Sequence, residues 1–136
     1  MRFMMLMYPN IAEEDWAPSA EAVTEMMKYN DELSKAGVLL ALDGLHPPSK
    51  GARVTFSGGK RTVSDGPFSE AKEVVGGYWV IQAKSKEEAV EWASRCPAQD
   101  CVIEVRQVFE ISDFPADVQQ AVSTSETAGQ QSPSSR

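Results

Sequence analysis

The chain has one histidine, His46, and two cysteines, Cys96 and Cys101, in 136 residues. Two thiols separated by Pro97-Ala98-Gln99-Asp100, with no further Cys or adjacent His, do not complete a zinc set. In a cytosolic chain they are expected to be free rather than bridged. Basic clusters are also missing: 13 Lys and Arg stand against 20 Asp and Glu, a net charge of −7. Phosphate backbones are bound by clustered Lys and Arg, so nucleic acid is not an expected partner. The longest apolar run, Phe3 to Tyr8, is far shorter than the roughly 20 residues of a membrane helix. Followed at once by Pro9-Asn10, it is also too short for a secretory signal, and the expected location is the cytoplasm. No Rossmann or Walker glycine pattern and no haem or flavin signature occurs, so neither a cofactor nor a metal is expected.

What is present is the composition of an ordinary globular domain, 42% hydrophobic and 24% charged. Phe3 to Tyr8 and Val38 to Leu42 read as short buried strands. Between them Ser19 can cap a helix whose apolar positions are Val23, Met26, Met27 and Leu33, with Asn30 the polar exception and Gly37 the stop. Met26, Met27 and Tyr29 are expected to pack in the core rather than to form a ligand stripe. Asp43-Gly44 is expected to turn the chain, and Pro47-Pro48 forbids regular pairing. Arg53 to Phe56 and Lys60 to Val63 flank Ser57-Gly58-Gly59 as a mostly polar hairpin, an edge or a protruding arm.

Tyr78 to Ala83 is a strand with bulky groups on both alternating faces, Tyr78 and Val80 against Trp79 and Ile81. Ser85 and Glu88 form a capping box for a second helix, with Ala89, Trp92, Ala93 and Cys96 on one face. Val102 to Ile111 is the last strand, with Ile103, Val105 and Phe109 on one side and Glu104, Arg106, Val108 and Glu110 on the other. The order is β-α-β, a hairpin, then β-α-β: an α+β, ferredoxin-like split βαβ with an inserted hairpin over residues 1–112. Residues 113–136 are polar and expected to be disordered. Two helices cover one face of such a sheet, so the other face is expected to close against a second copy.

Chemistry is densest at Asp65-Gly66-Pro67-Phe68-Ser69-Glu70-Ala71-Lys72-Glu73, followed by Gly76-Gly77-Tyr78-Trp79. Asp65 can serve as a general base, a metal ligand or a turn former. Glu70 and Glu73 share a face if the segment is helical, and Lys72 can balance them. Glu73, followed by Val74-Val75, is expected to approach the interior. His46 is the one imidazole available for acid–base work. Arg106 can clamp a substrate carboxylate, or pair with Glu104 or Glu73. The candidate catalytic groups are therefore Asp65, His46 and Glu73, and the candidate binding groups Arg106, Tyr78, Trp79, Glu70 and Lys72. They suit a small organic molecule and proton-transfer or lyase-type chemistry. The alternative is a non-catalytic regulatory or accessory dimer whose central motif is a structural clamp.

These stretches resemble the DGPF family, a branch of YciI-related proteins. The resemblance rests on the opening strand, Gly44-Leu45-x-Pro47-Pro48, Asp65-Gly66-Pro67-Phe68-x-Glu70-x-Lys72-Glu73, Gly76-Gly77-Tyr78, Glu91-Trp92-Ala93 and Glu104-Val105-Arg106. It implies a dimeric α/β-barrel fold but no settled activity. It also implies relevance of sigma-factor genes, which often neighbour those of relatives. A lyase of the wider group uses a His-Asp pair. This chain has no His on its first helix and has Cys96 before Pro97 where the Asp would stand, so that pair is not carried over.

Overall fold

A four-stranded antiparallel sheet grows from strands that carry apolar residues at alternate positions. In the computed structural model, which describes residues 1–67 and 73–129 and the side chains up to 124, these are β1 (Arg2–Tyr8), β2 (Leu39–Gly44), β5 (Gly77–Gln82) and β6 (Val102–Gln107), in the order β2-β5-β1-β6. Helix α1 (Ala20–Lys35) crosses from β1 to β2 and α2 (Lys86–Ser94) from β5 to β6. This is the expected α+β, split βαβ arrangement. The hairpin β3 (Ala52–Ser57) and β4 (Lys60–Asp65) forms its own two-stranded sheet, every residue exposed, so it is an arm rather than an edge. Gly58 and Gly59 both have positive φ, 57° and 78°, the backbone that a two-residue turn between twisted strands requires.

Both helices start where their caps stand. The Ser19 hydroxyl accepts from the Ala22 amide at 3.1 Å and the Ser85 hydroxyl from the Glu88 amide at 3.1 Å. Glu88 in turn accepts from the Lys84 amide, one residue before the cap, rather than from the cap itself. Gly37 follows α1 with φ of 76°. The core under the helices is Phe3, Met5, Tyr29, Leu33, Trp79, Ile81, Ala83 and Ala89. Each large apolar side chain fully buried there contributes about 1.5–3 kcal/mol. Trp79 and Tyr29 meet edge to face at 5.7 Å, and their polar tips are satisfied. Trp79 Nε1 donates to Asn30 Oδ1 at 2.8 Å, and Tyr29 Oη to the Trp92 carbonyl at 2.7 Å.

Several expectations are corrected. Met27 is 62% exposed, and Tyr29 fills the core position because the seam on α1 runs Met26, Tyr29, Leu33. Asp43-Gly44 does not turn the chain: β2 continues through both, past an irregularity between Leu39 and Ala41, with Asp43 opposite Tyr78. The last strand ends at Gln107, since its neighbour β1 begins at Arg2, whose carbonyl takes the final Val108 amide. Phe109 therefore leaves the core side, is 69% exposed and stacks on Phe114 at 4.9 Å. The segment expected to be disordered carries a helix, α3 (Ala116–Gly129), whose main contact is the short helical turn Ile111–Asp113 before it.

Candidate functional site

Residues paired directly across neighbouring strands share a face. On the side of the sheet away from the helices, the register aligns Asp43, Tyr78, Leu6 and Glu104 in one row and Ala41, Val80, Met4 and Arg106 in the next. Met4, Leu6 and Val80 are half-buried and make an apolar strip that no helix covers among the described residues. Polar groups border it. Tyr78 Oη donates to Asp43 Oδ2 at 2.7 Å on one side, and Tyr8 Oη donates to Glu104 Oε1 at 3.0 Å on the other. Arg106 Nη1 reaches the second oxygen, Glu104 Oε2, at 3.5 Å, with its side chain 69% exposed.

The Glu104 carboxylate thus accepts from a phenol and faces a guanidinium. The hydrogen bond to Glu104 is the main cause that raises the Tyr8 pKa, with desolvation and the charges of Glu104 and Glu73 adding and Arg106 opposing. Tyr8 is therefore a neutral donor at ordinary pH, not a base. The corner can hold a ligand's polar group between a phenol, a carboxylate and a solvent-exposed cation, while the strip takes an apolar body.

The chain around Gly66 and Gly76, on either side of the undescribed part of the central motif, is built as a joint. Gly66 donates to the Gly51 carbonyl at 3.1 Å. A Cβ on Gly66 would lie 1.8 Å from the Pro48 carbonyl oxygen, so only glycine permits this approach. The Ser49 amide donates to Glu13 Oε2 at 3.0 Å, and Trp16 Nε1 to the Leu45 carbonyl at 2.9 Å. Leu45 donates to Gly76 and Gly76 to Met7, one residue before Tyr8.

The expected site residues separate accordingly. Arg106 and Tyr78 lie on the open face. Glu73 is exposed rather than turned inward, yet its charge reaches Tyr8. Trp79 is a correction: it points under the helices as a core residue, because parity on β5 places it opposite Tyr78. Asp65 ends β4, opposite Ala52, and is exposed, and His46 is exposed in the loop after β2. Neither side chain makes a hydrogen bond or ion pair among the described residues. Glu70 and Lys72 lie outside the described residues. Asp43, Tyr8 and Glu104 were not singled out as site groups; strand parity hinted at them, but only the register aligns them.

Cys96 and Cys101 are free thiols. Among the described residues no group of three or more His, Cys, Asp or Glu could hold a metal ion, and no helix is long and apolar enough to cross a membrane.

The sequence profile of the YCII-related domain matches residues 1–112. Among curated proteins, an uncharacterized protein of Rhizobium meliloti (strain 1021), R00369, is 37% identical over 81 residues. The match spans 60% of this chain and 62% of that relative's length.

Proposed function

The chain belongs to the YCII-related family, and on that premise we propose that it is a cytoplasmic homodimer that binds a small organic molecule at its open sheet face. The observation that carries this reading is the uncovered strip of Met4, Leu6 and Val80 ending in the Tyr8–Glu104–Arg106 corner. An apolar strip of this kind is stabilised by covering it, and a second copy does so with twofold symmetry. The ligand's apolar part lies on the strip and its hydroxyl or carboxylate meets Tyr8 and Arg106. If the bound molecule reacts, Glu104 is placed to take a proton and Tyr8 to give one, in proton-transfer or lyase-type elimination. Glu73 and Tyr78 border the same face. Asp65 and His46 enter as rim groups that a ligand or second subunit would have to bring into play.

Light scattering on a sizing column, with a thermal-shift screen of small carboxylic acids and phenols, tests this. The expected outcome is a dimer that Leu6→Arg converts to a folded monomer. A ligand at 100 times its dissociation constant stabilises by about 2.7 kcal/mol, and the shift is lost in Arg106→Ala. A wild-type monomer at all concentrations would overturn the closure, and a shift retained in Arg106→Ala would overturn the site. The Gly66 approach to Pro48 favours a second reading for the motif, as a clamp in a regulatory or accessory dimer. In that case no screened molecule shifts the wild type, while substitutions at the joint lower its melting temperature.

A further inference from the structure

Away from the open face, both cysteines line one groove. It has a volume of about 510 Å³ between α2 and β6, with Val90, Ala93, Ile103 and Val105 among its walls. Lys86 opens α2 at one end of the groove, and Cys96 follows the last residues of α2. Both thiols are half-buried, and Cys96 also packs on the edge of the core. The connector between them turns at Asp100, whose φ of 54° is left-handed, so that Cys101 is returned beside the groove before β6 begins. Cys96 and Cys101 thus stand on the wall of the same groove, at the two ends of a four-residue connector whose Ala98 also lines it.

From this placement we propose that Cys96 and Cys101 form a reversible dithiol–disulfide site, opening onto the α2–β6 groove and oxidised by a small peroxide. In the reaction one thiolate attacks a peroxide oxygen, becoming a sulfenic acid as the oxygen–oxygen bond breaks and hydroxide leaves. The second thiol attacks that sulfur, the sulfur–sulfur bond forms, and the sulfenic oxygen departs as water. Overall two thiols lose two hydrogens and hydrogen peroxide becomes two waters. Burial pushes both thiols above their ordinary pKa, against which the Ala98 amide works at Cys96. The thiolate fraction is therefore small near neutrality and the bridge forms slowly, in response to sustained rather than brief exposure. Once formed it ties the end of α2 to the start of β6 without touching the β1–β6 ladder.

The test treats reduced full-length protein with hydrogen peroxide and counts remaining thiols with a maleimide by mass. The expected result is joint loss of both thiols in a monomolecular product lighter by two hydrogens, restored by dithiothreitol. The oxidised wild type also melts higher than the reduced form on a non-reducing scan, a shift absent from Cys96→Ser and from Cys101→Ser. Independent gain of oxygen at each thiol, bridges only between chains, or both thiols persisting while the unfolded protein reacts would each overturn the proposal.

Discussion

The two faces of the sheet are made by alternate residues of the same strands. Phe3, Met5, Trp79 and Ile81 face the helices, whereas Met4, Leu6, Tyr78 and Val80 face away. The helix side turns its polar tips onto core elements, Asn30 and the Trp92 carbonyl. The open side instead sets its tyrosine–carboxylate pairs at the margins of an apolar strip. Apolar content along a strand therefore does not tell which face is the core. What distinguishes them is where the polar groups find partners.

Neighbouring truncations on β5 should show the contrast most strongly. Ile81→Ala is expected to cost about 2–5 kcal/mol by urea unfolding. At protein concentrations too low for association, Val80→Ala should cost about 1 kcal/mol or less. Equal losses would remove the asymmetry between the faces. Gly66→Ala should cost about 1–3 kcal/mol, because its Cβ meets backbone rather than a flexible side chain. If the substitution is neutral, the joint does not exist as described. Asn30→Ala leaves the buried Trp79 N–H without its acceptor and is expected to cost about 1–3 kcal/mol. Tyr8→Phe, on the half-exposed side, should cost under about 1 kcal/mol in the same assay.

The smallest effect concerns Arg2 and Glu110, joined by contacts of 2.8 and 3.1 Å at the rim. The hydrogen bond from Arg2, with its charge, lowers the Glu110 pKa from its ordinary 4.5. The stabilisation is then present above pH 4.5 and disappears as pH falls through the lower folded value. Both side chains are more than a third exposed, so Glu110→Gln should cost well under about 1 kcal/mol at pH 7. The difference from wild type should vanish in acid melts, and one that grew there would reverse the assignment.

The element order and the helix starts were legible because their signals are local: Ser19 and Ser85 cap what they precede, and Gly58-Gly59 turns what it joins. The YciI-related resemblance was legible in the same way, from short separated stretches. Pairings between distant strands were not. Tyr8 and Glu104 are 96 residues apart, and nothing short of the β1–β6 register brings them together. The side of Trp79 is not legible in the sequence because β5 is bulky on both sides, and only α1, with Tyr29 and Asn30, decides which side is filled. The place of Phe109 is not legible either, because where β6 stops depends on where β1 begins.

The hairpin arm has a consequence for motion. A lone two-stranded ribbon is marginal in water. Here Val54 pairs with Val63 and Arg61 packs over the Phe56 ring at 5.9 Å, with every residue of both strands exposed. Opening the arm exposes little that is not already wet, so it can unzip while the four-stranded sheet stays intact. Its amides should exchange with solvent hydrogen at a rate set by that local opening and insensitive to mild denaturant. Those of Met5 and Ile81 should wait for unfolding of the whole domain.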